Sequence, residues 1–275
     1  MVLIDRFFAT ARERYRMKLR RFAGEDVPWT TDPILSAWRF CNVHREDDKT
    51  TVWFRENVRS HLTRETAVFS TVAFRWFNRI ETGQLIRDFL VSGTWDTHVV
   101  RKRLKDVRPL TTGAYIINSP WGMNKLDGIL QCLGKARRLI PKLEIGSSLR
   151  ESWRELQALQ CFGSFMAYEV VSDLRWTPVL ADAEDRMTWA AAGPGCARGL
   201  GRVLRDDPNH FHYGSASGQA EMLDLMQTLL AYSRDTLYWP AAWRHWEMRE
   251  VEHWACEFDK YERALRGDRL KRRYP

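Results

Sequence analysis

The feature that most constrains this chain is the period of its apolar residues. Within 217–237, Met222, Leu225, Met226, Leu229 and Leu230 fall at i, i+3, i+4, i+7 and i+8, one stripe along a helix. The same spacing predicts helices over roughly 3–22, 33–46, 49–62, 65–79, 83–91, 95–106, 123–139, 148–160, 165–176, 184–192, 195–205, 217–237 and 243–265. Strand-type alternation is nearly absent. Its best instance, "AYIIN" at 114–118, is short and isolated. The expected class is all-α.

A length of 275 residues allows a single helical domain spanning 1–275, or two packed helical lobes. No apolar run approaches the length of a membrane span, and the N-terminus lacks the apolar core and cleavage site of a signal peptide. A net charge of +8 points to an anionic partner, nucleic acid before an acidic membrane. Five cysteines stand singly, an odd number without CxxC spacing, which argues against a disulfide framework and for a reducing, cytoplasmic setting. Most of the thirteen tryptophans should be core, leaving some for stacking on bases. The end "RGDRLKRRYP" reads as a solvated tail or as a phosphate-contacting arm.

The stretch "LQALQCFGSFMAYEVVSDLRW", 156–176, breaks one helix at a glycine and starts another. Gly163 allows a tight turn there. Free N–H groups at the start of the second helix, near Ser164, would suit a DNA phosphate. An ordinary packing corner between two helices reads equally from these residues. Followed by "TPVLAD", the stretch resembles the helix–hairpin–helix DNA glycosylases, in which a proline and then a catalytic aspartate follow the hairpin. Pro178 and Asp182 keep that order, with Glu184 and Asp185 as fallback carboxylates. Asp182 can also be read as the cap of a helix starting near 184.

Four further blocks occur in order: "RFCNVHREDDKTTVWFREN" (39–57), "GAYIINSPWGMNK" (113–125), "AAAGPGCARGL" (190–200) and "EHWACEFDKYER" (252–263). Together they resemble the alpha-glutamyl/putrescinyl thymine pyrophosphorylases, bacteriophage amino acid:DNA transferases whose helical domain is also found attached to hydroxymethyluracil DNA kinases. The resemblance spans about 35–270. It implies a helix–hairpin–helix glycosylase-like fold and a step in thymidine hypermodification. In that step an amine from an amino acid or polyamine displaces pyrophosphate from activated 5-hydroxymethyluracil in DNA.

Such chemistry needs a flipped base, cations around the leaving pyrophosphate, and a carboxylate of raised pKa to deprotonate the amine or steady a developing methylene cation. The expected catalytic residues are Asp182, Asn42, Arg45, Asp48 and Glu257. Asn42 and Arg45, at i, i+3, would share a helical face; a surface salt-bridge cluster with Glu46, Asp47 and Asp48 is the plainer reading. Base or substrate contacts are expected from Tyr115, Lys125, Tyr168, Lys260 and Tyr261. Phosphate contacts are expected from Gly163, Ser164, Gly193, Gly195 and Arg198. "HFH" at 210–212 lacks a third ligand, so no metal is expected there, and no cofactor is expected beyond the amine co-substrate. The expected partner is double-stranded DNA carrying modified thymine, bound by a monomer without a membrane, in the host cytoplasm. A glycosylase excising a modified base, or a non-catalytic DNA-binding module beside a separate kinase, are the alternatives. A P-loop GxxxxGK[ST] does not occur in the sequence, and "SFMAYEV" at 164–170 offers no lysine for a lyase step.

Overall fold

A computed structural model describes residues 1–114, 116–270 and 273. Among these the chain is helical, without a strand. The helices are α1 (Ile4–Phe22), α2 (Pro33–Ala37), α3 (Lys49–Asn57), α4 (Arg64–Phe77), α5 (Ile80–Leu85), α6 (Arg87–Ser92), α7 (Thr97–Leu104), α8 (Lys125–Leu139), α9 (Leu149–Leu156), α10 (Ser164–Leu174), α11 (Pro194–Arg205), α12 (Ala216–Tyr232) and α13 (Met248–Leu265). No described helix is long and apolar enough to cross a membrane. The chain divides into two compact units, Met1–Asp48 with Met187–Pro275, and Lys49–Arg186.

The first unit is organised around α13. A capping box between Glu247 and Glu250 starts this helix, satisfying N–H groups that its first turn would leave bare. Helices α1, α2, α11 and α12 all pack against it. The tightest approach is that of α11. A Cβ on Gly199 would stand 1.9 Å from the Ala255 carbonyl oxygen, and one on Gly195 would stand 2.4 Å from Cys256 Sγ. These glycines let two helix backbones come close. Behind them lies an aromatic core in which Phe7 packs edge-on to Phe258 at 5.4 Å and Trp239 to Trp246 at 5.2 Å. Trp254 is fully buried and its indole N–H donates to the Phe7 carbonyl at 3.0 Å. The α12 stripe predicted from periodicity is buried throughout: Met222, Leu225, Met226, Leu229 and Leu230.

The second unit is built on α4 and α10, both nearly all buried. At their contact the Arg75 guanidinium meets the Asp173 carboxylate at 2.8 Å through Nη2, with the Arg59 guanidinium 3.6 Å away. Arg75 also donates to Asn78 Oδ1 at 2.7 Å and Thr51 Oγ1 at 3.1 Å. Arg75 and Asp173 are 1% and 0% exposed. Such a pair is held by the loss either partner would suffer alone, since an uncompensated buried charge costs several kcal/mol.

Several expected elements differ in the structure. The helix expected over 33–46 stops at Ala37, and a single 3-10 turn at Arg45–Asp47 follows an irregular stretch. Asn42 and Arg45 therefore share no helical face. The cause is local competition: Asp48 Oδ1 accepts from both the backbone and side-chain N–H of Asn42, at 3.0 and 3.2 Å. Nor do Arg45 and Glu46 form a surface cluster, each being 3% exposed. The expected helix at 184–192 is a run of turns, so Asp182 caps nothing there. Asp185 is instead spent on the start of α9, accepting from Ser148 Oγ at 2.8 Å and from the Leu149 and Arg150 amides at 2.7 and 2.9 Å. Arg186 ties the turn shut through the Arg175 and Ala181 carbonyls. The 83–91 helix is split into α5 and α6, and the "AYIIN" strand is not formed by its described residues.

The glycine hairpin is also made differently. Helices α9 and α10 do pack together across a short turn. Gly163, however, is extended at φ −80°, ψ −179°, and a Cβ there would meet nothing within 4 Å. The reversal uses Cys161, which holds the left-handed conformation at φ 59°.

Candidate functional site

In the first unit, His253, Glu257 and Lys260 lie at i, i+4 and i+7 on α13, and the segment 39–48 runs along that face. Lys260 Nζ donates to the Arg39 carbonyl, lies 3.3 Å from Glu257 Oε2, and stands 4.5 Å above the Phe40 ring. Glu257 Oε2 accepts from the Cys41 amide at 2.9 Å. Asp48 Oδ2 lies 3.6 Å from His253 Nε2. From α1, Arg14 donates to Asn42 Oδ1 at 2.8 Å, and Lys18 pairs with Asp47 at 3.1 Å. A segment whose own helical hydrogen bonds are confined to the 3-10 turn at its end is thus pinned by the side chains of α13 and α1, which answer its remaining backbone groups.

The electrostatics suit proton transfer. Burial pushes the Asp48 carboxyl above its usual range, against the lowering effect of His253 and of the Asn42 amide. Burial and then the nearby Glu257 carboxylate push the Cys41 thiol well up. His44, next along the segment, is wholly buried against Tyr15 and Trp239, and burial brings its pKa down to about 4 despite Glu250 beside it.

Four of the residues singled out in the sequence, Asn42, Asp48, Glu257 and Lys260, therefore come together. Arg45 is buried in the adjoining turn. Tyr261 is 7% exposed, packs near Phe40 and donates to Asp32 Oδ2 at 2.8 Å, and its pKa is raised by burial and by that bond. Arg198 is committed to Asp259 at 2.8 Å, which Arg202 shares at 3.0 Å. Gly193 is the cap of α11, while Gly195 serves the packing of α11 on α13 rather than an open cradle.

The second unit holds the other named residues. Asp182 is exposed. Gly163 and Ser164 are exposed at the start of α10, where no side chain caps the helix. Tyr168 is 5% exposed and so offers no face for stacking, whereas its neighbour Phe165 is 51% exposed. Lys125 opens α8 and donates to the Ile117 carbonyl. Tyr115 lies outside the described residues.

Sequence reasoning passed over Cys41, His253, Arg14 and the Arg75–Asp173 pair. The spacing His253–Glu257–Lys260 was a readable signal, since it makes one helical face. Arg75 and Asp173 carry none, because nothing local marks a charge as buried.

Comparison with known proteins gives the family. The chain is 25% identical to the 5-hmdU DNA kinase of Bacillus phage SP10, over 94% of this chain and 45% of that protein. It thus spans under half the length of that relative. No solved structure matches it. The profile of the 5-hmdU DNA kinase helical domain matches residues 1–270, nearly all of the sequence, and the chain belongs to that family.

Proposed function

We propose that this chain acts in the modification of 5-hydroxymethyluracil in DNA, by joining an amine to the pyrophosphorylated base with release of pyrophosphate. The observation that carries this reading is family membership over 1–270, together with the gathering of Asn42, Asp48, Glu257 and Lys260. The incoming amine is protonated near neutrality and must lose a proton before it attacks. A carboxylate held above its usual pKa is suited to take it, and Asp48 is such a group. The exocyclic carbon–oxygen bond breaks, a carbon–nitrogen bond forms, and pyrophosphate leaves with the bonding pair. Lys260 and Arg14 supply positive charge beside the same segment for an anionic leaving group. The bare start of α10 at Gly163 and Ser164 would hold a DNA phosphate, and the α9–α10 pair supports a helix–hairpin–helix reading of the second unit. Asp182, as an exposed carboxylate, keeps its place as a second candidate base.

A second reading is favoured by the family name itself: a DNA-holding helical module that works with a separate kinase and does no chemistry of its own. One experiment separates the two. The protein is incubated with duplex DNA containing pyrophosphorylated hydroxymethyluracil and a pool of amino acids and polyamines. Pyrophosphate release is measured, and the DNA nucleosides are read by mass spectrometry. Pyrophosphate with a new aminomethyl-type nucleoside supports transfer. Salt-sensitive DNA binding without turnover supports the module, and abasic sites would replace both readings with base excision.

A further inference from the structure

We propose that Cys41, Asp48 and His253 bind a zinc ion. One donor atom from each, the Cys41 sulfur, an Asp48 carboxylate oxygen and a His253 ring nitrogen, lies within 4.8 Å of the other two. All three side chains are partly buried. This is a departure from the sequence expectation of no metal, which weighed only the histidines at 210 and 212.

The chemistry of the set selects the ion. Sulfur, imidazole and carboxylate together suit zinc, whereas calcium and magnesium prefer oxygen alone. Zinc–ligand bonds of about 2.0–2.3 Å place tetrahedral donors about 3.3–3.7 Å apart, so side-chain rotation of about an ångström closes the site. The Asp48–His253 separation of 3.6 Å already has that value and is too long for a hydrogen bond.

The surroundings hold the ligands from outside. The other Asp48 oxygen accepts two N–H groups of Asn42, and the Cys41 amide is fixed by Glu257. Outer partners of this kind orient metal ligands. Charge also balances. A thiolate and a carboxylate match a divalent cation, while Glu257 is offset by Lys260. Three protein ligands leave a fourth position for water or a substrate oxygen. Metal binding does not rest on the reaction proposed above, and Asp48 serves as the base of that reaction only in the metal-free protein, because coordination would keep its carboxylate ionised and occupied.

The test uses the full chain, stripped with chelator and titrated with cobalt(II) alone. Expected are a thiolate-to-cobalt charge-transfer band and tetrahedral d–d bands saturating at one equivalent, both abolished by one equivalent of zinc. Cys41→Ser should lose the charge-transfer band, and His253→Ala should weaken zinc binding more than about 100-fold, beyond the loss of an outer partner. The double variant His210→Ala/His212→Ala should bind as the parent does. Circular dichroism reports folding of each variant. Where His253→Ala fails to fold, Asp48→Asn is read in its place. The proposal is overturned if the folded parent shows no such bands, or if they survive Cys41→Ser.

Discussion

Replacing Gly199 by alanine sets two opposed effects against each other, and the structure decides between them. In a free helix the change is favourable by about 1 kcal/mol, because alanine loses less backbone freedom. At Gly199 the new Cβ would lie 1.9 Å from the Ala255 carbonyl oxygen and 2.6 Å from its carbon. Both are backbone atoms of α13, so no rotamer change relieves the clash. A comfortable carbon–oxygen contact is about 3.3 Å, so the two helices must part by about 1.4 Å. A gap of about 0.5–1 Å already forfeits a quarter to a half of each contact along the seam. Leu200 and Val203, close to Gly199 along α11, are fully buried. Overpacking of this kind costs about 1–3 kcal/mol, and the rigid partner puts Gly199 at the upper end. The net expectation is a loss of about 2 kcal/mol, or about 4–8 °C in melting temperature for a chain of this size. Gly134, inside α8, is the control, since a Cβ there would meet nothing within 4 Å. Gly134→Ala should gain up to about 1 kcal/mol. Calorimetry and urea unfolding measure both. Equal, positive effects at the two positions would refute the close approach of α11 and α13.

Other outcomes follow from buried charge. Asp173→Ala, which strands Arg75 in the core of the second unit, should cost about 3–5 kcal/mol by urea unfolding; a cost under about 1 kcal/mol would mean that the pair is open to water. His44 has its folded pKa lowered to about 4 from an ordinary 6.5, so the unfolded chain binds the extra proton between those values. Stability should therefore be full above about pH 6.5 and fall by roughly 3 kcal/mol towards pH 4. Urea midpoints for His44→Phe should lose that part of the pH dependence, and an unchanged slope would clear His44 of it. In the transfer assay on chelator-stripped protein, the raised Asp48 pKa predicts an acid limb lying above the ordinary carboxylate range, with activity rising as pH rises through it. Asp48→Asn should remove the limb and lower turnover by about 100-fold or more; an unaltered profile would shift the role of base to Asp182.

The class and most of the helices were legible in the sequence because helical period is a local property. The stripe of α12 and the apolar faces of α4 and α10 are visible in their own residues, and burial follows wherever such faces find a partner. The site was half legible. Asn42, Asp48, Glu257 and Lys260 were noticed as chemical types, but their convergence was not, since Glu257 reaches the 39–48 segment, at the Cys41 amide, only where that segment is pinned along α13. Local reading even put that segment in a helix, because it counts periodicity and not the pull of one carboxylate on a neighbouring amide. Likewise Gly193 and Gly195 looked like a turn made for phosphate, and only the approach of α13 shows that the missing side chains of Gly195 and Gly199 make room for Cys256 and for the Ala255 carbonyl. What one turn of chain can satisfy by itself is written in the sequence. Which distant group answers a buried amide, or fills the space a glycine leaves, is settled by the tertiary structure, because those partners are chosen by packing across the whole unit.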